Sequence, residues 1–124
     1  MATPDNLRYG KTHEWVEDLG DGTFRMGITD FAQSEMGDIV YMGLPEVGDN
    51  VDAGTSFAEA ESVKAVEEVM SPVTGVVSAI NEDVEDDPGV INTDPYGTWL
   101  IEVSEGELVE ETMSAEEYDA FIQQ

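Results

Sequence analysis

The chain has 124 residues, a length typical of one domain, and 40% of them are hydrophobic, which is enough to build a core. Its 4 Lys and Arg against 29 Asp and Glu give a formal charge of −25, which argues against a protein that binds nucleic acid or a membrane surface. The chain contains no cysteine, so disulfide bonds, thiolate metal sites and a cysteine nucleophile are excluded.

The acidic residues are spread along the chain, with 13 in residues 1–62 and 16 in residues 63–124. Lys11 and Lys64 are the only lysines. Such an even loss of basic residues indicates adaptation to molar salt, where the Debye length falls to about 3 Å and self-repulsion is screened. We therefore predict a halophilic protein, with an ordinary, very soluble acidic protein as the alternative. The N-terminal residues lack an apolar signal region, and no run of 18 apolar residues occurs, so we expect a cytoplasmic protein.

Short runs of Val, Ile and aromatic residues recur between Gly, Asp and Pro, a pattern typical of an all-β sandwich or barrel. Residues 13–19 and 23–28 flank Gly20-Asp21-Gly22, and this Asp-Gly sequence predicts a hairpin. Thr29 or Asp30 can cap a short helix that ends at Gly37. The segment 38–44 then predicts a strand.

The second half of the chain also consists of short apolar runs between turn residues, and it ends in a predicted helix. Ser114 and Glu117 have the spacing of a capping box, and Tyr118, Phe121 and Ile122 share one face of the helix that follows. The segment 82–89 is acidic, lacks the ligand spacing of a calcium loop and predicts a solvated loop. Further strands are predicted at 56–63, 66–70, 75–80 and 99–103.

Few residues in the chain have the chemistry of a catalytic or metal site. His13 is the only histidine, and without cysteine a transition-metal site would depend on carboxylates, so we predict no metal centre. We expect His13 to be packed or to act as a cap near Trp15. No GxGxxG, Walker A or GxSxG motif occurs, so a nucleotide-binding or hydrolase function has no support.

Lys64 lies at a predicted hairpin turn whose sequence differs from the one such turns usually have. The apolar pattern stops at Val63 and resumes at Val66, which predicts a two-residue turn at Lys64 and Ala65, where Asn-Gly or Asp-Gly is normally preferred. Such positions are enriched in functional sites. A lysine retained where nearly every other cation has been lost indicates a function that requires an amine.

Seven segments of the chain form a recognisable set around Lys64. They are Glu61-Ser-Val-Lys-Ala65, Ser71-Pro-Val-Thr-Gly75-Val, Thr12-His-Glu-Trp-Val16, Gly27-Ile-Thr-Asp-Phe-Ala-Gln33, Gly37-Asp-Ile-Val40, Leu44-Pro-Glu-Val-Gly48 and Asn92-Thr-Asp-Pro-Tyr-Gly97 with Trp99. The first two resemble the lipoyl-lysine hairpin of the glycine cleavage system H-protein family, and the resemblance extends in order over about residues 9–122. Biotin carrier domains are similar but usually place Met on both sides of the lysine, whereas Val63 and Ala65 flank this one.

The resemblance implies a mostly β fold over residues 1–124, a single lipoyl-carrier domain. The expected architecture is a barrel-sandwich hybrid of two small sheets, with short helices that include a C-terminal one. It also implies a non-catalytic carrier with lipoic acid on Lys64, attached by a lipoate-attaching enzyme. The carrier would take an aminomethyl group from glycine decarboxylase (P protein) to the aminomethyltransferase (T protein), and dihydrolipoamide dehydrogenase (L protein) would reoxidise it.

Two alternatives remain open. A lipoate-relay carrier that hands lipoyl groups to other proteins would have the same Lys64, and a purely structural acidic β domain would leave Lys64 unmodified.

Three side chains are candidates to contact the loaded arm. Because an aminomethyl group is cationic and labile in water, a carrier benefits from a sheltered carboxylate. Glu14 lies in the segment that resembles the family's HEWV motif, and Thr12 shares its face of the predicted strand. Glu68, four residues after Lys64, is a candidate for the other side of the cleft.

Overall fold

A computed structural model of the chain describes residues 3–108 and 111–123, which form a mostly β structure with short helices. The strands are β1 (Arg8–Tyr9), β2 (Glu14–Gly20), β3 (Thr23–Ile28), β4 (Ile39–Gly43), β5 (Asn50–Val51), β6 (Ser56–Ser62), β7 (Val66–Met70), β8 (Val73–Ile80) and β9 (Ile101–Leu108). The helices are α1 (Asp30–Met36), α2 (Glu82–Asp86), α3 (Val90–Thr93) and α4 (Ala115–Ile122).

The strands form two antiparallel sheets. One has six strands in the order β1-β2-β3-β9-β8-β5, and the other has three in the order β4-β6-β7. The main core contains buried side chains of both sheets, among them Met26 and Val103 of the large sheet and Ala60 of the small one. The predicted fold class is therefore confirmed, although the first sheet is larger than expected.

The predicted hairpin of β2 and β3 is confirmed. Gly20 pairs with Thr23 across a two-residue turn, and both turn residues have positive φ, 54° at Asp21 and 77° at Gly22. Two positive φ angles are the requirement of a type I′ turn, whose twist matches that of the strands, and Asp-Gly meets this requirement at low cost.

The helix caps also follow the sequence prediction. Thr29 caps α1 by accepting a hydrogen bond from the Ala32 amide at 3.2 Å, and the helix ends at Gly37, whose φ is 78°. Both halves of the capping box of Ser114 and Glu117 are formed at α4. These local signals place both ends of α1 and the start of α4 within a residue of those observed.

The prediction of a loop at 82–89 is wrong, because residues 82–86 form α2. The Asn81 side chain caps this helix at the Asp83 amide, and acidic side chains in its first turn suit the helix dipole. Val84 is fully buried and anchors the helix to the main core. A single apolar residue among acids does not produce a detectable period, which is why the pattern indicated a loop.

The last strand was predicted too early and too short. The observed β9 begins at Ile101 and continues to Leu108, because its acidic second half still pairs with β8, as at Glu107 and Thr74. The elements β1, β5 and α3 were not predicted, since two to four residues carry no periodic signal.

A second, smaller core joins the two ends of the described chain. We call it the terminal cluster, and its buried members are Leu7, Tyr9, Trp15, Ala115 and Tyr118. The backbones of Tyr9 and Met113 exchange two hydrogen bonds of 2.9 and 2.7 Å, which hold the segment before α4 against β1. None of the described helices is long and apolar enough to cross a membrane.

Candidate functional site

Lys64 lies exposed at the tip of the hairpin formed by β6 and β7. The Ser62 amide donates to the Ala65 carbonyl at 2.8 Å, so Val63 and Lys64 are the two turn residues. The turn had been predicted one residue later, at Lys64 and Ala65. The reason is Ser62, whose hydroxyl oxygen accepts hydrogen bonds from the amides of Ala65 at 3.1 Å and Lys64 at 3.3 Å. This side chain stabilises the turn without the Asn-Gly or Asp-Gly sequence that hairpins usually require.

The hairpin tip rests on the segment that joins α1 to β4. The Val63 amide donates to the Asp38 carbonyl at 3.2 Å. A methyl group built on Gly37 would lie 3.5 Å from Lys64 Cε, so the lysine stem passes close to this glycine. The tip is therefore braced while the amine remains in solvent.

Asn92 of α3 positions that supporting segment. Its Oδ1 accepts from the Ile39 amide at 2.9 Å, and its Nδ2 donates to Gln33 Oε1 and to the Gly37 carbonyl, each at 2.9 Å. One side chain thus ties α3 to the end of α1 and to the start of β4. Sequence reasoning assigned Asn92 no role, although it lies in one of the family-like segments.

A cleft of about 330 Å³ opens beside the hairpin, and we call it the main cleft. It begins at Ala65, directly after Lys64, and continues along β7 to Val69. Residues 12–14 line one wall, and α1 contributes the other through Phe31, Ala32, Glu35 and Met36. The cleft therefore offers a mainly apolar path that leads from the lysine to Thr12 and Glu14.

Glu14 is the buried carboxyl of the main cleft, with 3% of its surface exposed. Burial raises its pKa from 4.5 to about 7, and a hydrogen bond from the Thr12 side chain opposes part of that rise. The Thr12 hydroxyl donates to Glu14 Oε2 at 2.5 Å. Since its pKa is near neutrality, this carboxyl can exist in either ionisation state and can hold a cation or a proton.

Thr12 and Glu14 meet for a different reason from the one predicted. The strand was predicted to begin at residue 13, but the observed strand begins at Glu14. His13 instead has a φ of 72°, in the left-handed region. The turn at His13, and not the alternation of a strand, therefore brings the two side chains together.

Glu68 also lines the main cleft, from β7, and its side chain is exposed. Its neighbour Glu67 lines the cleft as well and was not singled out from the sequence. The structure thus brings the three candidates, Thr12, Glu14 and Glu68, to one cleft beside Lys64. A second cleft, of about 420 Å³ and lined in part by Lys11, shares Thr12 and Glu14 with the main cleft.

His13 is packed, as expected, but its neighbours are not those predicted. Its ring lies 4.7 Å from that of Phe31, and its Nδ1 lies 2.8 Å from the Tyr118 hydroxyl. Burial lowers the pKa of His13, and the nearby Glu35 opposes this shift. In the part of the chain that the structure describes, no three acidic or histidine side chains are grouped to hold a metal ion.

The site consists of an exposed lysine on a braced hairpin of a two-sheet β fold, with a cleft beside it. This arrangement is that of a carrier-type β protein and contains no cluster of catalytic groups among the residues described. Residues 7–124 match the family model described as glycine cleavage H-protein. The chain belongs to the glycine cleavage H-protein family.

Individual relatives agree with this assignment. The glycine cleavage system H protein of Oceanobacillus iheyensis is 49% identical over 99% of both chains. A probable H protein of Pyrococcus abyssi is 50% identical over 95% of this chain and 90% of its own. The crystal structure of an H protein from Mycobacterium marinum superposes with a TM-score of 0.92 at 38% identity, and the match covers 98% of this chain and 99% of that one. The protein is a lipoyl carrier component of the glycine cleavage system and not a catalyst, which confirms the prediction of its function.

Proposed function

We propose that Lys64 is the lipoylated residue of this carrier. The observation that supports it best is the Lys64 hairpin, whose braced tip leaves the amine in solvent. A lipoate-attaching enzyme would join Lys64 Nζ to the carbonyl carbon of an activated lipoate, with loss of the activating group and one proton from nitrogen. Attached there, lipoate would supply a disulfide that opens to take the aminomethyl group on one sulfur, with the two electrons released by decarboxylation of glycine, and oxidation of the dithiol left after the group has been passed on would restore the disulfide.

The partners proposed are glycine decarboxylase (P protein), the aminomethyltransferase (T protein) and dihydrolipoamide dehydrogenase (L protein). A tethered arm keeps the transferred group at a high effective concentration in each complex. Because the chemistry takes place at the far end of the arm, each enzyme can dock and leave in turn. The carrier itself contributes position and shelter.

The lining of the main cleft suits the arm chemically. Its apolar wall, which includes Ile28, Met36 and Val69, suits a hydrocarbon chain attached to the lysine. At its inner end the Glu14 carboxylate can bind a cationic amine, and the Thr12 hydroxyl orients that carboxylate. Burial of this site excludes water, which slows loss of a labile group. We assign Glu68, exposed on β7, to the outer rim, where its charge attracts the same cation.

The attachment site is tested by incubating the protein with a lipoate ligase, lipoate and ATP, followed by peptide mass analysis. We expect one lipoyl increment, on the peptide that contains Lys64. Lys11→Arg is the matched control and should be modified like wild type, whereas Lys64→Arg should remain unmodified, because a guanidinium offers no free amine. A lipoyl group on Lys64→Arg would contradict the assignment.

We further propose that residues 1–124 form a single lipoyl-carrier domain from the cytoplasm of a halophile. The terminal cluster supports one domain, because it packs β1 against α4. The charge of −25 supports the halophilic origin, because the self-repulsion of such a surface is screened at high salt. Absence of cysteine suits an intracellular protein, since small secreted domains commonly depend on disulfides.

A further inference from the structure

One buried hydroxyl group touches both walls of the main cleft. Tyr118 of α4 is fully buried, and its Oη lies 2.8 Å from His13 Nδ1 and 2.8 Å from Thr29 Oγ1. His13 lies in one wall, and Thr29 caps α1, which forms the other. Tyr118, a residue outside the cleft, therefore joins the two segments that carry its walls.

The wall that contains His13 has a backbone conformation that requires support. A φ of 72° is rare for a residue with a β-carbon. The His13 amide donates to the Gly10 carbonyl, and the His13 carbonyl accepts from the Thr29 amide, each at 3.1 Å. Tyr118 adds the contact that holds the ring. Because His13 separates Thr12 from Glu14, its conformation determines whether their side chains meet.

The Tyr118 hydroxyl can donate one hydrogen bond and accept another, so it satisfies both neighbours in either of two directions. In one, the Thr29 hydroxyl donates to Tyr118 Oη and the Tyr118 hydroxyl donates to His13 Nδ1. In the other, His13 Nδ1 donates to Tyr118 Oη and the Tyr118 hydroxyl donates to Thr29 Oγ1. Burial favours the neutral form of His13, which permits both directions.

Tyr118 is itself held in place by the terminal cluster. Its ring stacks on Tyr9 at 4.9 Å between centroids, with 15° between the planes. Its amide donates at 2.9 Å to the carbonyl of Ser114, the residue that caps α4. The hydroxyl therefore has a defined position relative to β1 and the large sheet.

We propose that Tyr118 is a positioning residue of the carrier site, whose hydroxyl clamps the His13 turn to the start of α1 and so maintains the pairing of Thr12 with Glu14. This inference rests on the proposed role of Glu14 and Thr12 in holding the arm. It assigns to the C-terminal helix a part in retention of the transferred group.

The test compares wild type, Tyr118→Phe and Tyr9→Phe, each as full-length lipoylated protein loaded with the aminomethyl group. The half-life of the group is measured at one pH, salt concentration and temperature at which all three are folded. For Tyr118→Phe we expect a half-life about two- to tenfold shorter, the range that corresponds to loss of one hydrogen bond. Because His13 is the only histidine, its imidazole ¹⁵N resonances give a second readout on unloaded protein and should shift in Tyr118→Phe.

Tyr9→Phe is the matched control, since it removes another buried tyrosine hydroxyl of the terminal cluster, one that donates to the Pro4 carbonyl at 2.5 Å. It should leave the half-life and the His13 resonances at wild-type values. If Tyr118→Phe does not fold, His13→Asn removes the ring that the same hydroxyl contacts, with a residue type that tolerates positive φ, and should shorten the half-life similarly.

The two proposals fail in different ways. A wild-type half-life in Tyr118→Phe, or equal shortening in Tyr9→Phe, would overturn the positioning role. Glu14→Gln separates the proposals: an unchanged half-life in this variant would overturn the arm-holding role of Glu14. A short half-life in Glu14→Gln with a normal one in Tyr118→Phe would leave that role intact and remove Tyr118 alone.

Discussion

At the scale of single residues, burial of the Glu14 carboxyl lowers the free energy of unfolding when that group is ionised. Its pKa rises from 4.5 to about 7 because burial removes water from the charged form. Between these two values the folded protein binds a proton that the unfolded chain has released. Below pH 4.5, where Glu14 is protonated in both states, its burial therefore carries no charge penalty. The penalty grows as the pH rises and is complete above pH 7, where the buried carboxylate is ionised.

We predict that Glu14→Gln stabilises the unloaded protein at pH 8 and not at pH 4.5. The gain should grow with pH and reach at most about 3 kcal/mol, the value that corresponds to the pKa difference. It is measured as the free energy of unfolding by denaturant at several pH values in molar KCl, which screens the other acids.

Glu68→Gln is the control for this experiment, because an exposed carboxylate keeps its hydration in both states. A gain for Glu14→Gln that does not vary with pH would show that burial of the Glu14 charge is not what costs stability.

At the scale of secondary structure elements, Asn92 connects three of them and supports the Lys64 hairpin. We predict that Asn92→Asp lowers the free energy of unfolding by about 1–3 kcal/mol, since the two donors to Gln33 and Gly37 are lost and a carboxylate faces their oxygens. Amide exchange should also become faster at Ile39 and Val63.

Asn50→Asp is the matched control for Asn92→Asp, because it adds the same charge at an exposed position of β5. Its unfolding energy and the exchange at Ile39 and Val63 should stay close to wild type. Equal losses in both variants would mean that added charge, and not the lost hydrogen bonds, explains the effect.

At the scale of the whole molecule, the charge of −25 makes self-repulsion a large part of the stability balance. Two like charges at about 10 Å in water cost roughly 0.4 kcal/mol without screening. Because total stability is only about 5–15 kcal/mol, a partial sum over many such pairs is significant. Added salt should therefore stabilise the fold.

We predict that the melting temperature rises by about 10 °C or more between low salt and molar KCl. NaCl at the same ionic strength should act alike, since screening does not depend on which cation is present. A melting temperature that does not change with KCl would contradict the halophilic origin and leave the carrier function intact.

Local signals in the sequence determined much of the fold. The type I′ turn at Asp21 and Gly22, the Thr29 cap and the capping box at Ser114 each lie within four residues, so each could be identified without knowledge of the rest of the chain. Lys64 was identified in the same way, as a lysine in a turn with a distinctive flanking sequence.

Tertiary structure alone decided the features that join distant residues. The two-residue strands β1 and β5 form because each pairs with a longer strand, β2 and β8. The helix α2 is stabilised partly by Val84, which packs in the main core. Asn92 reaches Ile39 across 53 residues, and Tyr118 reaches His13 across 105. No short-range pattern encodes such contacts, because they depend on the path of the chain through both sheets. The Lys64 hairpin could therefore be predicted from the sequence. The contact of Tyr118 with His13 could be identified only in the folded structure, because the two residues meet only when the chain has folded.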